Sequence, residues 1–293
     1  MSRIEVLKTY KIYIGGKFPR TESGRFYTPK NGDKPLGNIC LSSRKDFKNA
    51  VVSARGAFAK WSGATAYNRS QILYRIAEML EGRKAQFIEE LIFQGRNKSQ
   101  AEKEVNAAID RLIYYAGWCD KFTQLFSAVN PVASSHFNFT APEPTGVVSI
   151  FAPEESSLIG LVSVIAPVIA AGNTCVVLAS EQLPLCAITF AEVVNSSDVP
   201  GGVINILTGN RAELREHMAS HMDVNAFLYT GNDAAEILEI QQLGVSNLKR
   251  VRIKDLSDIY NDKHETPYFI EDFLEIKTTW HPIEKINAAG SGY

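Results

Sequence analysis

Apolar and polar positions between residues 146 and 254 change period repeatedly, from short β-rich runs to helical spacing and back. The short runs are Val147–Phe151, Thr174–Leu178, Val203–Leu207, Ala226–Tyr229 and Leu248–Ile253, and the helical segments between them are Leu158–Ala171, Leu185–Asn195, Arg211–Ser220 and Ala234–Leu243. Strands that alternate with helices favour crossovers between parallel strands. The pattern therefore predicts an α/β fold, with a parallel five-stranded sheet covered by helices on both faces.

The part of the chain before this region has mostly helical spacing. Tyr10–Phe18 alternates and contains a Gly-Gly turn, which predicts an opening hairpin strand. Three long helices are expected to follow, the first capped by Ser42 or Ser43 and the others covering about Tyr67–Phe93 and Ser99–Phe126. Their apolar stripes predict an N-terminal helical layer.

Two further alternating segments, His136–Thr140 and Phe273–Trp280, predict a small β flap. Asp255–His264 is polar and unpatterned, which is typical of a linker. We expect a nucleotide-binding-like domain over residues 1–131 and 142–258, a bridging and oligomerisation flap over residues 132–141 and 266–283, and a tail over residues 284–293.

The composition is that of an ordinary globular protein, with 45% apolar residues, 22% charged residues and a net charge of -1. This charge argues against nucleic-acid binding and against binding to a membrane surface. The longest apolar run, Leu158–Ala171, is too short to span a bilayer, and the N-terminus has no signal-peptide pattern. The four cysteines are widely spaced, which favours reduced thiols in a cytoplasmic protein.

The segment GVVSIFAPEESSLIGLVSVIAPVIAAGNTCVVLASEQLPL, residues 146–185, is similar without a gap to the core of the aldehyde dehydrogenase superfamily. VPGGVINILTG (199–209), YTG (229–231), NLKRV (247–251), the opening YIGGKF and the closing FLEIKTTWHP also resemble segments of that family. The whole is most similar to the second, degenerate repeat of the family-16 branch. The resemblance implies a Rossmann-like sheet. It also implies a deletion, because one short linker separates NLKRVRIKDLSD from the closing strand, so a separate catalytic domain is expected to be absent.

The resemblance also implies that the catalytic positions are degenerate. The family uses a Cys nucleophile, an Asn that donates to the oxyanion and a Glu that acts as the base. In this chain Glu155 takes the place of the Asn, Glu154 that of the preceding Trp, and Lys254 that of the Glu, while no cysteine follows Cys186. We therefore expect no catalytic residues.

Several departures fall at positions that the resemblance assigns to the cofactor. A Lys is replaced by Leu178, a Gly by Arg211 whose bulk would intrude on the adenine slot, and a second Gly by Glu236. The positions that still match or tolerate a nucleotide are Pro153, Glu181, Gly209, Gly231 and Asn232, the last as a helix cap near a pyrophosphate. No bound cofactor is expected, with NAD or NADP the candidates that remain open.

Other candidate nucleophiles and ligands have structural explanations. Cys175 lies in an apolar strand and Cys186 follows a proline at a helix start, so both are interpreted as inert thiols. His217 and His221 have the i, i+4 spacing of metal ligands on a predicted helix, but no acidic residue is placed to complete a set. We expect no metal site.

The resulting hypothesis is a catalytically inactive aldehyde dehydrogenase-like protein. It would serve as a partner or regulatory subunit of a full-length aldehyde dehydrogenase, on which its flap strands dock. Three alternatives remain open: an accessory subunit of an NAD-dependent aldehyde oxidoreductase complex, a stand-alone nucleotide-binding module, and a homo-oligomer that pairs its own flaps.

Overall fold

The computed structural model describes residues 6–283, so the predicted tail over residues 284–293 lies outside the described residues. The N-terminal region forms short strands followed by helices. Its elements are β1 (Thr9–Tyr10), β2 (Phe26–Tyr27), β3 (Lys30–Asn31), β4 (Lys34–Pro35), β5 (Asn38–Cys40), α1 (Arg44–Ser62), α2 (Ala66–Gly82), α3 (Lys84–Phe93), α4 (Lys98–Trp118) and α5 (Phe122–Phe126).

The remaining chain contains a short flap, the central α/β region and a return to the flap. Its elements are β6 (Ala128–Asn130), β7 (His136–Pro144), β8 (Val147–Phe151), α6 (Ile159–Ala170), β9 (Thr174–Leu178), α7 (Leu185–Asn195), β10 (Ile204–Leu207), α8 (Arg211–Ser220), β11 (Ala226–Thr230), α9 (Ala234–Gly244), β12 (Arg250–Lys254), α10 (Tyr268–Glu271) and β13 (Leu274–Pro282). Short 3₁₀ turns occur at Val245–Asn247 and Asp262–His264.

The central sheet has five parallel strands in the order β10-β9-β8-β11-β12, which confirms the predicted α/β fold. Helices cover both faces. One face packs Phe47 of α1, Leu214 of α8 and Ile240 of α9 around Phe151 and Phe227. The opposite face is covered by α2–α4, α6 and α7. Because β8 is flanked by β9 on one side and β11 on the other, the strand order reverses direction at β8.

The N-terminal helical layer is present, but two of its predicted helices are interrupted. The helix predicted over Tyr67–Phe93 breaks at Arg83, whose φ and ψ of -109° and 11° are not helical. The helix predicted over Ser99–Phe126 ends at Trp118, and the separate α5 follows. Ser43 rather than Ser42 caps α1, in a reciprocal capping box with Asp46. Amphipathic spacing continues through each break, so the breaks could not be predicted from the pattern of apolar residues.

The predicted opening hairpin is shorter than its pattern suggested. Only Thr9–Tyr10 forms a strand, while Tyr13 makes an isolated bridge to Ile206 at the edge of the main sheet. The tight turn is closed by a bridge between Ile14 and Lys17 across Gly15 and Gly16, which have φ values of 62° and 77°. The N-terminal segment therefore extends the sheet beyond β10.

The flap is a three-stranded antiparallel sheet in the order β13-β7-β6. β7 continues past the predicted His136–Thr140 as far as Pro144, and nine residue pairs join it to β13, from Leu274 opposite Pro144 to Pro282 opposite His136. Prolines are tolerated there because a proline lacks only the ladder donor and not the acceptor. Within residues 6–283, β13 is an edge strand with neighbours on one side only.

Residues 255–273, which we call the strap, are not the loose linker that polarity predicted for Asp255–His264. Leu256, Ile259, Ile270 and Phe273 are all buried in the main core. Arg111 of α4 secures the strap by donating to the carbonyl oxygen of Ile259 at 3.1 Å. These widely spaced apolar residues form no period, so the sequence pattern missed them.

Candidate functional site

A cleft of about 600 Å³ opens at the carboxyl edge of the sheet, beyond the ends of β8, β11 and β12. Ligands in open α/β sheets bind at this edge, where the strand order reverses. Residues predicted at the catalytic and cofactor positions that line the cleft are Pro153, Glu155, Gly231 and Asn232. Glu181 and Gly209 lie outside its lining, after β9 and β10 respectively.

An ion pair between Glu154 and Arg211 forms part of the cleft lining. Nε of Arg211 is 2.7 Å from Oε1 of Glu154, and the two side chains are only 14% and 23% exposed. The guanidinium also donates to the carbonyl oxygen of Ala152 and lies 5.3 Å from the ring centroid of Phe151. Arg211 thus folds back over the end of β8.

The carboxylate of Glu154 holds the turn after β9. Its Oε2 accepts from the hydroxyl of Ser180 at 3.0 Å, from the backbone N–H of Glu181 at 2.9 Å and from that of Gln182 at 3.4 Å. Glu154 therefore contacts both the turn after β9 and Arg211 after β10, and it connects the carboxyl ends of β8, β9 and β10.

Glu181, the predicted ribose acceptor, already has an internal partner. Both of its carboxylate oxygens accept from Nδ2 of Asn210 at 3.1 Å. Gly209 precedes Asn210 with a φ of 155°, and a Cβ at this position would lie 3.1 Å from the backbone nitrogen of Ser42. The glycine is thus explained by close packing of two backbones.

The prediction that Asn232 caps α9 is wrong. Asp233 is the cap, and its Oδ1 accepts from the backbone N–H groups of Ala235 at 2.8 Å and Glu236 at 3.1 Å. An Asp satisfies these donors as well as an Asn does, and it brings a negative charge to the positive end of the helix. Asn232 is exposed on the cleft wall.

Tyr229 and Glu236 fill the space beneath the turn at Gly231. The Tyr229 hydroxyl donates to Glu236 at 2.6 Å, and Glu236 also lies 2.5 Å from Arg215. A Cβ at Gly231 would be 2.8 Å from the Tyr229 ring, so only glycine fits there. Burial and the neighbouring Glu236 raise the pKa of Tyr229 to about 12, so the hydroxyl remains a donor.

Each of the four helices that begin at this edge of the sheet has at least one of its first N–H groups bonded to a side chain. Oε1 of the buried Glu104 accepts from Leu158 at 2.9 Å and Ile159 at 3.3 Å at the start of α6. The acceptors for α7, α8 and α9 are Gln94, Asn210 and Asp233. Free N–H groups at helix starts are what bind phosphate in nucleotide sites. In this chain, a side chain of the protein itself already occupies at least one of those groups at each helix start.

The cysteines offer no exposed nucleophile. All four are free thiols and all are buried. Burial raises the pKa of Cys119 and Cys175 to about 12, and burial together with the nearby Glu90 raises the pKa of Cys186 well above its ordinary value. A buried, protonated thiol is unreactive, which supports the interpretation of Cys175 and Cys186 as structural residues.

Glu155 and Lys254, the two positions that the sequence resemblance assigned to catalysis, have different environments. Glu155 is exposed at the cleft, and its carbonyl oxygen accepts from Arg96. Lys254 ends β12 and pairs with Asp272 at 2.5 Å, with its ammonium 4.2 Å from the ring centroid of Phe269. Lys254 is absent from the cleft lining because this pair turns it towards the strap.

The structure does not support a metal site in residues 6–283, where no group of three or more His, Cys, Asp or Glu side chains could hold an ion. His221 lies beyond the end of α8, so it does not share a helix face with His217 as predicted. None of the helices described in the same range is long and apolar enough to cross a membrane.

The sequence model of the family described as "Aldehyde dehydrogenase family" matches residues 19–254, the helical layer and the entire five-stranded sheet. The chain belongs to the aldehyde dehydrogenase family. It is 32% identical over 256 residues to retinal dehydrogenase 2 of Gallus gallus, covering 85% of this chain and 49% of that protein. It is 30% identical over 255 residues to omega-crystallin of Enteroctopus dofleini, covering 85% of this chain and 51% of the relative.

Aldehyde dehydrogenases of known structure share the fold. The NAD⁺ complex of the enzyme from Bacillus cereus superposes with a TM-score of 0.79 at 25% identity, covering 84% of this chain and 50% of that one. The chain thus spans about half the length of the aldehyde dehydrogenases that it matches.

Sequence reasoning missed several residues that organise this aldehyde dehydrogenase cleft. Glu104 on α4 is 1% exposed, although a charged side chain on a helix is usually exposed to solvent. Asp272 could not be recognised from the sequence, because its cationic partners Arg252 and Lys254 lie on β12, in a different part of the chain. A charged residue directly in line with an apolar stripe, as Glu104 is with Ala101 and Val105, was the one available signal.

Proposed function

We propose that this aldehyde dehydrogenase-family chain is catalytically inactive by itself and acts as a partner or regulatory subunit of a full-length aldehyde dehydrogenase in the cytoplasm. The observation that carries the proposal is the burial of all four thiols. Aldehyde oxidation of this type begins with attack by a thiolate on the aldehyde, and a thiol that is buried in the core cannot reach a substrate. The purified chain should therefore leave aldehydes unchanged, and NADH formation by it would refute the proposal.

The degenerate catalytic positions support the same conclusion. An ionised Glu155 cannot donate a hydrogen bond to an oxyanion and would repel the developing charge. Lys254 is a cation held by Asp272, so it cannot act as the carboxylate base that the family uses. Glu155→Asn and Lys254→Glu, made together, should therefore restore no activity, because the nucleophile is still lacking.

The residues at the carboxyl edge do not fit a dinucleotide. The helix starts are capped internally, Glu181 is held by Asn210, and Asp233 and Glu236 would repel a phosphate at α9. We therefore propose that no cofactor is bound, although NAD and NADP are the candidates to test. Calorimetry with each dinucleotide should detect no heat of binding at millimolar concentration.

The flap supplies the proposed docking surface. β13 has hydrogen-bonding neighbours on one side only within the described chain, and its Ile276 and Trp280 are 50% and 57% exposed. An edge strand flanked by exposed apolar side chains is an open site for strand addition by another protein. We propose that it adds to the sheet of a full-length aldehyde dehydrogenase.

Co-expression with an aldehyde dehydrogenase of the same organism, followed by size-exclusion chromatography, tests this docking. The wild-type chain should elute with the enzyme. Ile276→Lys with Trp280→Glu should separate the two, whereas the control Tyr67→Glu, at a 72% exposed position on α2, should not. Two proteins that elute apart would contradict the partner role, and a dimer of this chain alone would indicate self-pairing of flaps instead.

The partner's turnover then separates a regulatory subunit from an accessory one. Turnover is measured with and without this chain at saturating substrate. A change that the Ile276→Lys, Trp280→Glu variant abolishes would show that docking acts on catalysis. An unchanged turnover would limit the chain to a structural partner.

A further inference from the structure

The contacts of Glu154 and Arg211 resemble those that a bound molecule makes with a protein. A carboxylate accepts from two successive backbone N–H groups and a hydroxyl in the turn after β9. A planar cation lies near an aromatic ring and donates to a carbonyl oxygen at the end of β8. Backbone N–H groups in a turn are typical anion ligands, and aromatic rings are typical platforms for planar groups.

Both residues occupy positions where this sequence departs from the family motifs. The resemblance gives Trp at position 154 and Gly at position 211, so a large side chain has been lost at one and gained at the other. The new side chains are oppositely charged and lie 2.7 Å apart. The volume lost at position 154 is regained at position 211, and the two new charges are opposite in sign. This indicates that the two replacements together form a new contact and are not independent losses.

We infer that the Glu154–Arg211 pair is a resident plug, an intramolecular occupant of the slot over β8 and β9 that an adenine nucleotide would otherwise enter. The carboxylate takes the turn N–H groups, and the guanidinium takes the space above Phe151. Because each charge neutralises the other, the guanidinium is not free to attract a phosphate. This inference rests on the proposed function and names the element that excludes the nucleotide.

The test removes the plug and measures nucleotide binding directly. Glu154→Ala with Arg211→Ala should open the slot, and Arg215→Ala is the matched control. Arg215 is on the same helix and also forms ion pairs, but with Glu236 and Glu239 on α9. The probe is 5′-AMP, and its binding is measured by calorimetry and by the shift that it causes in the midpoint of thermal unfolding. We expect affinity for AMP to rise at least about tenfold over wild type in the double variant only.

The outcomes separate this inference from the proposed function. Equal AMP binding by the double variant and by Arg215→Ala would overturn the plug while leaving the inactive-partner proposal intact. Tight NAD binding by the wild type would overturn both the plug and the absence of a cofactor. If the double variant does not fold, the single variant Arg211→Ala replaces it, because this variant keeps the contacts of Glu154 with the turn. For Arg211→Ala the probe is adenosine, which has no phosphate for the unpaired Glu154 to repel. This variant must then bind adenosine more tightly than the wild type does.

Discussion

Lys254 and Asp272 form a 2.5 Å ion pair that joins the end of the last sheet strand to the end of the strap. Asp272 also lies 3.2 Å from Arg252, and Arg250 lies 2.9 Å from Glu275. Three cations at alternate positions of β12 therefore face two carboxylates, Asp272 at the end of the strap and Glu275 in β13. These pairs form a structural contact that joins the sheet to the strap and to the flap.

Asp272→Asn should lower the free energy of unfolding by about 1–2 kcal/mol, because it leaves two cations near an uncharged amide. Urea denaturation followed by circular dichroism measures the change. Glu143→Gln is the control, since its partner Lys277 is 58% exposed and 3.9 Å away, and it should have little effect. Equal losses in both variants would show that the contact is not specific.

Glu104→Ala should destabilise the protein by about 3 kcal/mol, because a buried carboxylate that caps α6 is lost and its donors are left unsatisfied. Glu104→Gln, which retains an acceptor oxygen, should lose less. Glu102→Ala on the same helix removes only a 3.9 Å surface pair with Lys98 and serves as the control. The prediction fails if Glu104→Ala and Glu102→Ala have the same unfolding midpoint.

The thiols should not react with Ellman's reagent in the folded protein, because all four are buried and burial also raises the pKa of Cys119, Cys175 and Cys186. In guanidinium chloride all four should react. A rapid native reaction of even one thiol would contradict their structural role. Replacing Cys186 by Ala, followed by the same assay, identifies whether that residue is responsible.

Stability should fall as the pH drops below the ordinary histidine pKa of 6.5. Burial, and then the neighbouring charges of Lys263 and Arg111, lower the pKa of His264 in the folded protein. The unfolded chain therefore binds the proton more readily, so stability is lost from 6.5 down to the folded pKa. His264→Gln should flatten this part of the curve of unfolding free energy against pH. An unchanged slope would assign the effect to His221, because burial lowers the pKa of that residue as well.

The central sheet could be predicted because its strands and helices carry strong and different periods. Local exceptions to that regularity were not predictable. The break at Arg83 lies within one continuous apolar stripe, and only its backbone angles reveal it. The strap was mistaken for a linker because Leu256 and Ile259 are separated by polar residues, and their burial depends on α4 and α6, which pack against them from elsewhere in the chain.

Individual residues of the candidate site could be proposed from the sequence, but the contacts between them could not. The sequence placed Arg211 near the adenine slot and Glu154 in a catalytic motif, yet nothing in their spacing indicated that they pair. Ion pairs between separate loops depend on how the strands are ordered. The predicted start of α9 at Ala234 agrees with the structure, but the residue directly before it, Asp233, is the cap and Asn232 is not.

The buried residues of the strap should hold the chain together after limited proteolysis. Its exposed Asn261–Lys263 bend offers trypsin a site, but buried residues anchor the polypeptide on both sides of that bend. A nick after Lys263 should therefore yield two bands on a denaturing gel while the nicked protein still migrates as one species on a native gel. The two fragments would behave as a non-covalent complex, with the C-terminal piece still presenting β13.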